Sequence, residues 1–299
     1  MEKLEFSIAK NEVLKGFRWE IKNPKAKIVL FEGMEEHVSR YDTMAQYLNE
    51  KGFSVFALDT FGQGENVKED LSNIGVWPED GFNKLLKIFN DLVLSLKKDG
   101  TPVYIFAHSM GSFFGQAYIQ RYPGNVEKIV LCGAGGKNGG VKLAYPFAKL
   151  FITKKKRNDK SKTLNKIMFG GFNKRIKNPR TAYDWLSLNN DVVETYIKDP
   201  LCGFGPTKGF CLEFLKFMKD LYTSKGLKQI DKNQKILLIG GEQDPVTNYG
   251  KYTIALTNMY KKYGIEGTSN VIFKDLRHEI HNEDRKLEVF ETVASFFAN

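Results

Sequence analysis

A short apolar run that stops dead on a serine constrains this chain more than any other feature. Residues 103–106, Val-Tyr-Ile-Phe, are β-branched and aromatic, which is the composition of a buried strand. They lead into Ala107-His108-Ser109-Met110-Gly111, after which Phe114, Ala117 and Tyr118 recur at helical spacing. A strand that turns this sharply into a helix lifts the serine hydroxyl above the strand end. Side chains two residues to either side would crowd the neighbouring elements, and Ala107 and Gly111 are both small. The helix that follows aims its first backbone N–H groups at the same spot, where developing negative charge is favoured. The sequence therefore builds a nucleophile elbow around Ser109, with alanine in place of the usual first glycine.

The rest of the chain supplies the sheet such an elbow needs. Residues 4–8 and 13–21 read as an antiparallel strand pair, and 28–31, 53–58, 126–131, 235–239 and 270–273 as further strands. Helical patterns at 41–50, 78–97, 252–263 and 285–297 alternate with them. Alternation of this kind predicts an α/β fold, a mostly parallel sheet with helices on both faces. One interval breaks it. About 100 residues separate the strand ending near Gly135 from the one starting at Lys235, where a single crossover needs only about 10–20. The surplus predicts an inserted, mainly helical cap at 136–224, with helical patches at 141–151 and 209–222. The core is then 1–135 and 225–299. An insertion after this strand lies at the carboxyl edge of the sheet, where open α/β folds bind ligands.

Composition narrows the class. The 299 residues suffice for a large core, and 42% hydrophobic with 27% charged residues is ordinary for a globular protein. No signal-peptide pattern opens the chain and no apolar run reaches membrane-spanning length. Cys132, Cys202 and Cys211 are an odd set without paired spacing, which suggests free thiols in a reducing compartment. With four histidines and no His/Cys cluster in sequence, neither a structural metal nor a cofactor is expected, and the location expected is cytoplasmic.

A serine hydroxyl needs a base, and the base needs an orienting acid. With an elbow of this type the acid and the histidine follow the serine along the chain. Downstream of Ser109 there are only His278 and His281. His278 falls in the loop after the last strand and His281 where the closing helix begins, so His278 is preferred. The strand ending at Ile239 leads into a turn that presents Asp244, with Glu242 as the competing carboxylate. The catalytic set expected is Ser109, Asp244 and His278. The oxyanion donors expected are the backbone N–H groups of Met110 and, from the loop after the third strand, Met34. Gly33, His108 and Trp185 are expected to contact substrate.

Taken together these motifs resemble the monoacylglycerol lipase and lysophospholipase branch of the α/β-hydrolases, a branch also named after serine aminopeptidases. Residues 32–41, EGMEEHVSRY, resemble the family's H-G-x-x-E-H-x-x-R-Y stretch. Residues 59–66, DTFGQGEN, resemble its D-x-x-G-x-G-x-S, and 107–111 its G-H-S-M-G. The segments around Asp244-Pro245-Val246 and His278-Glu279 match too, and Tyr183 to Ser187 and Asp199 to Phe204 resemble cap segments of bacterial members. The resemblance implies an α/β-hydrolase with a cap, acting as a serine esterase on monoacylglycerols or lysophospholipids. Glu32 stands where the family has histidine, and Phe61, Gln63 and Asn66 replace common polar or basic residues. Glu32 would place a carboxylate beside the oxyanion loop, weakening anion stabilisation or reshaping the loop. Asp59 reads as a loop-organising carboxylate.

Charge is distributed unevenly. Residues 137–180 hold fourteen Lys or Arg and one acid, a formal +13 in a chain of +10. The basic residues interleave with Phe, Tyr and Leu, which suits an anionic membrane surface or anionic lipid. No nucleic-acid motif accompanies them. The enzymatic alternatives are a thioesterase and a serine aminopeptidase. A non-catalytic lipid- or membrane-binding protein is the alternative of another class.

Overall fold

The computed structural model describes residues 1–9, 12–137 and 140–299. Its eight strands are β1 (Glu2–Ala9), β2 (Glu12–Trp19), β3 (Ala26–Phe31), β4 (Phe53–Leu58), β5 (Val103–His108), β6 (Lys128–Cys132), β7 (Lys235–Gly241) and β8 (Thr268–Phe273). They form one sheet in the order β1-β2-β4-β3-β5-β6-β7-β8. β1 and β2 are antiparallel to each other, and β2 is antiparallel to β4; all other neighbours are parallel. Parallel neighbours require crossovers, and helices α1 (Asp42–Glu50), α2 (Gly81–Leu96) and α3 (Met110–Arg121) make the first three. Every residue of β3, β4 and β5 is buried, as it must be when helices cover both faces. The chain has the α/β-hydrolase fold.

Between β6 and β7 come α4 (Val141–Phe151), α5 (Lys162–Phe169), α6 (Asn190–Lys198), α7 (Lys208–Leu221) and α8 (Ser224–Gln229). After β7 follow α9 (Lys251–Lys262) and, beyond β8, α10 (Lys286–Ala298). Two apolar cores flank the sheet. One joins α2, α3 and α9 through Phe82, Phe89, Phe114 and Tyr260, and α7 belongs to it through Phe210, Phe217 and Met218. The other joins α1 and α10 through Met44, Leu48, Phe290 and Phe297. A third, smaller cluster gathers Trp185, Leu186, Tyr196 and Cys202.

Where the structure departs from the sequence reading, local chemistry explains it. β5 runs two residues past Phe106 because Ala107 and His108 still pair with Leu131 and Cys132 of β6. α2 starts at Gly81 rather than at Pro78 because Asp80 takes a left-handed φ of 58° and interrupts the helix there. Side chains mark the starts of the short helices α5, α6 and α8: Ser161, Asn189 and Thr223 each accept a backbone N–H from the first turn.

Candidate active site

Ser109 sits where β5 ends and α3 begins, at φ 52° and ψ −116°. Such a backbone costs on the order of 1–3 kcal/mol and persists only where its surroundings enforce it. Here its N–H is held by the Cys132 carbonyl at 2.9 Å. Gly111 is the close approach that lets α3 start there, since a Cβ on it would lie 2.2 Å from the Phe31 carbonyl oxygen. His278 Nε2 lies 2.8 Å from Ser109 Oγ. Its Nδ1 lies 3.0 Å from Asp244 Oδ1, an ion-pair contact off the line of a straight hydrogen bond. Burial works against charge on His278, but the Asp244 carboxylate, with Glu279 and Glu36 behind it, outweighs burial and raises the imidazole above its ordinary value of 6.5. The competing residues are elsewhere. Glu242 accepts the Asp275 N–H, and the ring of His281 stacks on Tyr41 with centroids 4.8 Å apart.

The loop after β3 is tied on both sides of Met34. Gly33 N–H donates to Glu36 Oε1 at 2.7 Å, and Glu35 N–H donates to Gln63 Oε1 at 2.6 Å. Among the described residues, the N–H groups of Met34 and Met110 have no hydrogen-bond partner. Both residues face the same cavity as Ser109 and His278. The arrangement can receive a carbonyl at the serine and offer two N–H donors to its oxygen.

The sequence reading did not foresee the buried network behind this loop. Arg40 forks onto Glu279 at 2.8 and 2.6 Å and reaches Glu36 at 2.6 Å. Tyr41 donates to Glu36 at 2.7 Å and meets His108 Nδ1 at 2.8 Å. Burial opposes charge on Glu36, yet His108 and Arg40 hold its carboxyl below the usual range. Because Glu279 follows His278 directly, Arg40 fastens the histidine loop to the loop of Met34. The Glu36, Arg40 and Tyr41 matches to the family stretch were the available signal. What was missing was Glu279 as their partner, 239 residues away in sequence.

A cavity of about 940 Å³ opens above Ser109, walled largely by apolar side chains such as Phe113, Leu164, Phe214 and Met218. His108 and Trp185 line it. Gly33 does not: it packs behind, where a Cβ would fall 2.2 Å from Glu36 Oε1. Residues 184–188, from the interval between β6 and β7, run directly along the histidine loop. The carbonyls of Trp185 and Leu186 accept the N–H groups of His278 and Glu279. Arg277 donates to the carbonyls of Asp184 and Ser187.

Residues 22–285 match the serine aminopeptidase S33 family. The chain belongs to that family. A monoacylglycerol lipase of Mycolicibacterium smegmatis is 24% identical over 280 residues, covering 93% of this chain and 89% of the relative. The human monoglyceride lipase is 32% identical over 112 residues, 36% of this chain and 34% of that one. A thermostable carboxyl esterase from Bacillus coagulans, crystallised with glycerol, superposes at a TM-score of 0.89 with 27% identity, covering 100% of this chain and 98% of that one.

Against the S33 pattern, Glu32 and Gln63 depart together, and they bond to each other. Gln63 donates to Glu32 Oε1 at 2.8 Å, and the Thr60 N–H donates to the same oxygen at 2.7 Å. The Glu32 side chain thus turns toward the loop after β4. Burial, reinforced by nearby Asp59, pushes its carboxyl well above the usual range. The loop of Met34 is tied to Gln63 as well, through the Glu35 N–H and the Gly33 carbonyl. Asp59 does organise its loop: its oxygens accept from Val38 and Glu65 N–H groups at 2.8 and 3.1 Å.

Proposed function

We propose that this S33-family enzyme hydrolyses carboxylic esters of lipid character, monoacylglycerols or lysophospholipids, through an acyl-enzyme on Ser109. The observation that carries the reading is the 2.8 Å contact between His278 Nε2 and Ser109 Oγ at the floor of a large apolar cavity. Ser109 Oγ attacks the ester carbonyl while His278 takes its proton. Asp244, 3.0 Å away, steadies the imidazolium. The N–H groups of Met34 and Met110 receive the oxyanion, and a site with one such donor removed typically loses about 10²–10³ in rate. His278 then protonates the departing alcohol, and water, deprotonated by the same ring, frees the acid. Apolar walls favour a fatty acyl chain over a charged peptide, which is why esters lead over aminoacyl amides.

Residues 136–224 serve in this reading as the cap over the cavity. Its helix α4 has no buried residue and leaves Leu143, Phe147, Leu150 and Phe151 exposed beside Lys154, Lys155 and Lys156. That pairing of apolar and basic side chains suits an anionic lipid surface. A panel of esters graded by acyl length, repeated with thioesters and aminoacyl amides, tests the function. Long-chain esters are expected to be cleaved fastest, and preference for amides would refute the assignment.

A further inference from the structure

We propose that His108, Cys132 and His281 form a buried site for a divalent cation of zinc's class. His108 and Cys132 are register partners at the ends of β5 and β6. His281 comes from the turn Ile280–Asn282 ahead of α10. One ligand atom from each lies within 4.8 Å of the others, and imidazole nitrogen and thiolate sulfur are the donors zinc prefers. All three residues are at most 1% exposed.

Three imidazole nitrogens there have no hydrogen-bond partner: Nε2 of His108 and both nitrogens of His281. Buried polar atoms are rarely left so. Tyr41 already gives its proton to Glu36, so at the Tyr41 contact the His108 Nδ1 is the donor, and Nε2 presents a lone pair to the site. A carboxylate behind a histidine is the support that metal-bound imidazoles commonly have. A second grouping, His37, Asp199 and Cys202, shows the contrast. There His37 Nε2 already bonds Asp199 at 2.8 Å, which leaves nothing unpartnered to ask for an ion. Two imidazoles and a thiolate suit zinc and its neighbours better than magnesium or calcium.

Binding forms two metal–nitrogen bonds and one metal–sulfur bond, and releases the Cys132 thiol proton to solvent.

Cobalt(II) titrated into the chelator-stripped full chain decides the matter by absorption. The expected result is one equivalent bound, with a thiolate-to-cobalt charge-transfer band. That band should vanish in Cys132→Ala and survive in Cys202→Ala and Cys211→Ala. In His281→Asn the visible cobalt bands should weaken, which keeps the test decisive if Cys132→Ala does not fold. No cobalt uptake, or a band that persists in folded Cys132→Ala, overturns the proposal.

Discussion

At the scale of single residues, the account rests on environments that set proton positions. Ser109→Ala should reduce kcat by several orders of magnitude, near 10⁶ by analogy with a measured serine hydrolase, as read in steady-state hydrolysis by the pure variant. His278 must be neutral to accept the serine proton, so activity declines as pH falls through its pKa. Asp244 raises that pKa, and the acid limb of kcat/KM should accordingly centre above 6.5. An acid limb centred below 6.5 would contradict the geometry. Glu35 offers a test of stability instead. Burial lifts its carboxyl to about 7, so its proton stabilises the fold at low pH and that contribution is lost as pH rises from 4.5 through 7. Glu35→Gln should then gain Tm relative to wild type, more at pH 8 than at pH 5. Equal gains at both pH values would exclude this role for burial.

At the scale of elements, the elbow was the most legible part because its demands are local. Strand composition, two small residues and a helical pattern all fall within residues 103–118. The reading pointed to His278 over His281 because it falls in the loop after the last strand, and to Asp244 over Glu242 because the turn after Ile239 presents it. What sequence concealed was long-range polar chemistry. Nothing in the spacing of Glu32 and Gln63 announces that their two departures bond to one another, and nothing near Arg40 announces Glu279. The starts of α5, α6 and α8 are marked by capping residues. Gly111→Ala checks the elbow as an element. Its methyl would meet the Phe31 and Glu32 carbonyls at 2.2 and 2.6 Å, and overpacking of this kind costs about 1–3 kcal/mol or more. Thermal unfolding should register that loss, together with lower activity; an unchanged Tm would show that α3 approaches β3 less closely.

At the scale of the whole molecule, the sheet brings together loops from four strands and the turn after a fifth, and residues of α4, α5 and α7 line the cavity above them. The alternation of strands and helices made the parallel sheet foreseeable. That α7 would join the α2 and α3 core was not, because its apolar face gives no sign of which partner it meets. Among the described residues no helix is long and apolar enough to cross a membrane; the lipid contact proposed for α4 is tested on its exposed apolar face. Phe147→Ser with Leu150→Ser should weaken sedimentation with anionic vesicles, and added salt should weaken it for the wild type; equal binding to neutral vesicles would count against the basic patch. The central claim is tested most directly by a fluorophosphonate probe on the folded protein, with the labelled peptide located by mass spectrometry. A single adduct on Ser109, lost in His278→Ala, is the outcome the account requires. Folded protein that takes no adduct at Ser109 would contradict it.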